Sequence, residues 1–173
     1  MPDSEDRTKL QKGLQAIKVI WLAMLGSLLI YVIIAHISGE ALRKGLAGRF
    51  SDEFLVNLKG IFAVMSVAVL IATKYIRRSV FDTKQNVSSR SFSTESTPSS
   101  GAGKAVVKYA TVMIVSLALC ESIGIYGFVL YRLEGSFQTL YGFLAMSALG
   151  MFYYRPKEEE LNEIYQGIKR DSI

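Results

Sequence analysis

Residues 109–131 read YATVMIVSLALCESIGIYGFVLY, 23 residues among which Glu121 alone carries a formal charge. At about 1.5 Å per residue, a helix of that length covers the roughly 30 Å hydrocarbon core of a bilayer. A water-soluble domain distributes its apolar residues periodically. Here they are blocked into a long run, as in a membrane span. Glu121 lies one position past the middle of the run. It is therefore expected near the midplane, where a carboxylate is costly and marks a functional site by default.

Three further runs accompany it. Residues 17–37 carry only Lys18, at the rim, with Trp21 and Tyr31 toward the two ends as interface aromatics and Gly26 and Ser27 as small contact residues. Residues 54–76 have an uncharged middle, and Lys59 and Lys74 snorkel from its rims. Residues 137–154 carry no charge and end abruptly at Arg155-Pro156. Gly135 is the expected pivot of the turn before this run. The expected fold class is an all-α integral membrane protein. It has four transmembrane helices in two hairpins (about 17–37, 54–76, 105–131 and 137–154), forming one membrane domain over 1–173.

Short amphipathic helices are expected at both ends. Leu10, Leu14 and Ile17 share one face before the first run. Leu161, Ile164, Tyr165 and Ile168 do so in the 157–170 tail, which is expected on the membrane surface or on a partner. Between spans one and two, Leu42, Leu46 and Phe50 suggest a short interfacial helix. Residues 79–103 are Ser-rich without apolar periodicity, a disordered cytoplasmic linker by composition.

Orientation follows from the basic residues. With four spans, the N-terminus, the linker and the tail share a side. Counting rim positions, that side holds fifteen of the 20 Lys and Arg residues, from Arg7 to Arg170. The other holds Arg43, Lys44, Arg49, Lys59 and Arg132. Both termini are therefore expected to be cytoplasmic, in a multi-pass protein of the inner (plasma) membrane. No signal peptide is expected, because the first apolar run is too long and no small-residue cleavage site follows it.

The net charge of +5 flanks the apolar runs, so it reads as membrane topology and not as nucleic-acid binding. One cysteine, Cys120, excludes an intramolecular disulfide. One histidine, His36, excludes a multi-His metal site within one chain, and its rim position suits an interfacial residue. Paired acids, a metal-ligand set and a nucleophile–base pair are all missing, so an enzyme is not expected.

Ser122 and Tyr126 follow Glu121, and Gly124 and Gly127 remove bulk nearby. An oxygen-rich cluster of this kind in an apolar span can hold a proton or, with a carbonyl, a small hard cation. The run LCESIGIYGFVL (119–130) resembles the acid-bearing helix of the c subunit (proteolipid) of F-type and V-type ATP synthases. Glu121, Ile125, Tyr126 and Gly127 match its acid and following Ile-Tyr-Gly. The resemblance implies that Glu121, Ser122, Tyr126 and the backbone carbonyl of Leu119 enclose H+ or Na+. Span two offers only Gly60 where that family has a Gly-x-Gly-x-Gly run, and a long Ser-rich tether replaces its short polar loop. The chain therefore looks like a bacterial four-span protein with a c-like third helix.

Two functional readings follow. In one, the protein binds or conducts protons or Na+ as a small subunit of an ion-translocating complex, with no cofactor beyond that ion. In the other, it is a structural or assembly subunit in which Glu121 serves helix packing, for instance through Ser66 or Tyr141. Both imply lipid and other membrane subunits, or further copies of the chain, as partners. Gly124, Gly127, Gly142 and Ala145 are the expected helix-packing positions.

Overall fold

A computed structural model describes residues 4–46, 51–82 and 101–170, with side chains described over 4–37, 51–78 and 101–170. The described residues form five helices and no strand. They are α1 (Ser4–Leu46), α2 (Asp52–Asp82), α3 (Gly101–Glu134), α4 (Phe137–Tyr153) and α5 (Glu158–Arg170). Three of them are long and apolar enough to cross a membrane, within Ser4–Ile37, Asp52–Arg78 and Gly101–Glu134. α4, at 17 residues, has a length of about 26 Å at 1.5 Å per residue.

The first apolar run has no separate helices around it. Residues 4–46 form one continuous helix, since no proline interrupts them. This helix absorbs both the expected amphipathic lead-in and much of the expected interfacial segment, whose Phe50 lies outside the described residues. Likewise α2 continues to Asp82 and α3 begins at Gly101. The helices thus enter both ends of the 79–103 segment, and 83–100 lie outside the described residues.

α3 is the axis of the bundle. Of its apolar stretch 44% is buried, against 11% in α1 and 6% in α2. All four other helices pack against it. α1 runs parallel to α3: Gly13 meets Val106, and Tyr131 donates to the Ala35 carbonyl at 2.8 Å. α2 runs antiparallel, with Lys59 on Glu134 at one end and Arg77 near Met113 at the other. α4 folds back after Gly135, whose φ of 76° lets the chain turn where a side chain would strain it. The Gly135 N–H donates to the Tyr131 carbonyl at 2.7 Å, closing α3.

These directions gather the start of α1, the end of α2, the start of α3 and the end of α4 at one end of the bundle. α5 covers that end. Its Leu161, Ile164 and Tyr165 are buried with Leu10, Leu14 and Ile17 of α1 and Ala105, Tyr109 and Met113 of α3. The amphipathic face of the tail is thus spent inside the chain, on the matching face of α1, and not on an outside surface.

Candidate functional site

Glu121 sits about one turn past the middle of α3, on the side facing α1, and is only partly buried. Ser27 of α1 donates to Glu121 Oε1 at 2.6 Å, and Tyr31, one turn further along α1, donates to the same oxygen at 3.3 Å. The Tyr31 ring lies against Phe128 of α3, with centroids 5.6 Å apart, which holds the phenol beside the acid. Ser27 is the middle residue of the 17–37 run, so polar groups near the middles of two apolar runs meet across a helix interface.

The Ser27 hydroxyl is also 2.6 Å from the carbonyl oxygen of Met24. It has two close acceptors and a single hydrogen. If Glu121 is ionised, Ser27 either shares its hydrogen between the two oxygens or turns it fully to the carboxylate. If Glu121 carries a proton, the carboxyl donates to Ser27 Oγ while Ser27 donates to Met24, and both short contacts are hydrogen bonds at once.

The other residues of the expected oxygen-rich cluster are not at the carboxylate. Ser122 donates to the Leu119 carbonyl at 2.7 Å, within its own helix turn. Tyr126 stacks on Phe62 of α2, with centroids 5.0 Å apart and planes 17° apart. At about 100° per residue, Tyr126 points roughly 140° around the helix from Glu121. The structure therefore joins Ser122 to the Leu119 carbonyl and Glu121 to Ser27 and Tyr31, with Tyr126 on a third contact. Ser66 donates to the Phe62 carbonyl of its own helix and Tyr141 is exposed, so neither answers Glu121.

Small residues set the approach of α4. A Cβ on Gly124 would lie 2.9 Å from Leu28 and 3.4 Å from Leu144, where α1, α3 and α4 converge. A Cβ on Gly127 would strike Phe143. Ser147 donates to the Cys120 carbonyl at 2.7 Å, and Gly150 faces the Cys120 thiol. Gly142 has nothing within 4 Å and Ala145 is exposed, so the packing face of α4 is Leu140, Leu144, Ser147 and Met151.

A second polar cluster stands at the α5 end. Arg77 of α2 is buried and donates to Glu160 of α5 at 2.5 Å, while its guanidinium lies 5.0 Å over the Tyr154 ring. Tyr109 of α3 donates toward Glu160 at 3.2 Å and accepts from the Lys157 N–H at 2.8 Å. Three helices and the α4–α5 connection are thereby tied at one carboxylate. In the sequence Arg77 is one of several basic residues at the rim of an apolar run.

No known protein family, curated protein or solved structure matches the chain. The likeness of 119–130 to a proteolipid helix therefore rests on its own residues.

Proposed function

We propose that the protein is a multi-pass membrane protein in which Glu121 binds and releases a proton, as a small proton-handling subunit. The observation that carries this reading is the Ser27 hydroxyl, 2.6 Å from both Glu121 Oε1 and the Met24 carbonyl. Its single hydrogen matches the arrangement best when Glu121 is protonated, and a rotation of that hydroxyl accommodates the ionised form. A proton is favoured over Na+ because the Leu119 carbonyl already accepts from Ser122 and Tyr126 faces α2.

The membrane reading is supported by what the helices leave uncovered. Val19, Leu22 and Leu29 of α1 and Val56 and Val64 of α2 are each more than 60% exposed, a continuous apolar exterior that lipid covers. Leu149, Phe152 and Tyr153 extend it onto α4. On this reading α4 is the fourth crossing, completed by its flanking residues. The basic end of the bundle, with both termini, faces the cytoplasm.

Carbodiimide labelling tests the site, because the reagent attacks protonated carboxyls in lipid. Mass spectrometry should find the adduct on Glu121 in native membranes, and labelling should fall as the pH is raised. An unreactive Glu121 at every pH would remove the proton-site reading.

A second reading, a packing subunit, is favoured by the same bonds, since they join α1 to α3. It requires that Glu121→Gln leave proton movement in reconstituted vesicles unchanged. The first reading requires its loss.

A further inference from the structure

The end of the bundle held by Arg77 and Glu160 also contains a cavity of about 500 Å³ between α2, the end of α4 and the start of α5. Lys74, Arg155 and Lys157 line it. All three are exposed, and none has an acidic partner among the described residues. At its base Arg77 and Glu160 neutralise each other. The cavity thus presents three unanswered cations from two separate elements, an arrangement whose mutual repulsion an anion relieves. Phe152 and Tyr153, 53% and 71% exposed, also line it. Aromatic rings beside basic side chains at the end of an apolar helix mark headgroup depth.

We propose that this cavity binds the phosphate of an anionic phospholipid headgroup, with Lys74, Arg155 and Lys157 as its ligands and Phe152 and Tyr153 against the upper acyl chain. The proposal rests on the membrane reading above. The volume suits a headgroup, and basic pockets between helices on the cytoplasmic side favour anionic lipids. The cations are spread over α2 and the α4–α5 connection, so a bound phosphate would bridge them at the point where α5 docks.

The chain supplies its own probe. Trp21 is its one tryptophan. The indole donates to the Met151 carbonyl at 2.9 Å and lies edge-on to Phe152 with centroids 5.7 Å apart. The full chain is reconstituted into phosphatidylcholine nanodiscs, and Trp21 fluorescence is read with brominated phosphatidylglycerol or brominated phosphatidylcholine at equal mole fraction.

The expected result is stronger quenching by the anionic lipid. The preference should drop on the order of a hundredfold in the triple variant Lys74→Gln, Arg155→Gln, Lys157→Gln, taking roughly fivefold for each charge removed. Quenching by brominated phosphatidylcholine should be unchanged in that variant, which also shows that it has folded and inserted. Equal quenching by both lipids overturns the cavity proposal and leaves the membrane reading standing. Quenching by neither, or failure to enter the discs, overturns both. Reversal of the preference by millimolar inorganic phosphate overturns the lipid assignment in favour of a soluble phosphate.

Discussion

Two carboxylates in this bundle are answered in opposite ways. Glu160, at the end where α5 docks, faces the Arg77 guanidinium at 2.5 Å and the Tyr109 hydroxyl at 3.2 Å. Glu121, just past the middle of α3, faces two hydroxyls, those of Ser27 and Tyr31, and no cation among the described residues. A guanidinium is a permanent cation with donors only, so it can answer a carboxylate in one way, by donating charge-assisted hydrogen bonds. A serine hydroxyl can donate or accept, so it serves both the charged and the neutral carboxyl. The first arrangement is a fastener, and the second surrounds its carboxyl with groups that suit either protonation state. The contrast follows from what each neighbouring helix offers at the depth of each acid.

The largest effect is expected at the fastener. Arg77→Met leaves the Glu160 carboxylate partly buried without its cation, a loss of about 3–5 kcal/mol. Thermal unfolding of the purified protein should show it. Replacing both partners together, with Glu160→Leu, should recover much of that loss, because no orphaned charge is left. If the double variant is no better than the single, the pair is not the fastener described.

A smaller effect is expected at the α3–α4 contact. Gly127→Leu drives a side chain into Phe143, which costs about 1–3 kcal/mol. Gly142→Leu enters open space and should stay within about 0.5 kcal/mol. Gly135→Ala forces a Cβ into the left-handed region at φ 76°, for about 1–2 kcal/mol. The same unfolding assay ranks all three.

Much of this molecule is legible along the chain, and the rest concerns how helices face one another. Length and apolarity announce α3, and Glu121 stands out because nothing else in its run is charged. Gly135 is readable from the turn it must make. The apolar faces of α5 and of the start of α1 are each readable from their spacing, but their packing against one another is not. Ser27 passes for a small contact residue and Tyr31 for an interface aromatic. Only the rotation of α1 about α3 shows that both point at Glu121. A clue lay in depth, since Ser27 is the central residue of its run and Tyr31 is one turn away on the same face. Tyr126 misleads for the converse reason: five residues along a helix is adjacency in sequence, not on one face. Arg77 looks no different from Arg78, and Glu160 is 83 residues away from it. Only the packing of α2 against α3 and α5 tells the two arginines apart.

The smallest expected effect is the one that sharpens the comparison most. Ser27→Ala removes the shorter of the two bonds to Glu121 and Tyr31→Phe the longer. Interhelical hydrogen bonds in lipid average about 0.6 kcal/mol and reach about 1.7. Neither variant should therefore unfold the protein, and Ser27→Ala should cost more than Tyr31→Phe. Their effect on carbodiimide labelling should be larger than their effect on stability. Without Ser27, a protonated Glu121 loses its acceptor and an ionised one its best donor, so the pH dependence of labelling should move. A double-mutant cycle of Ser27→Ala with Glu121→Gln measures the coupling directly. Coupling of several kcal/mol, comparable to that of Arg77 with Glu160, would make Glu121 a second fastener and remove the distinction. Coupling near 0.6 kcal/mol with a displaced labelling profile is the outcome expected of a proton site.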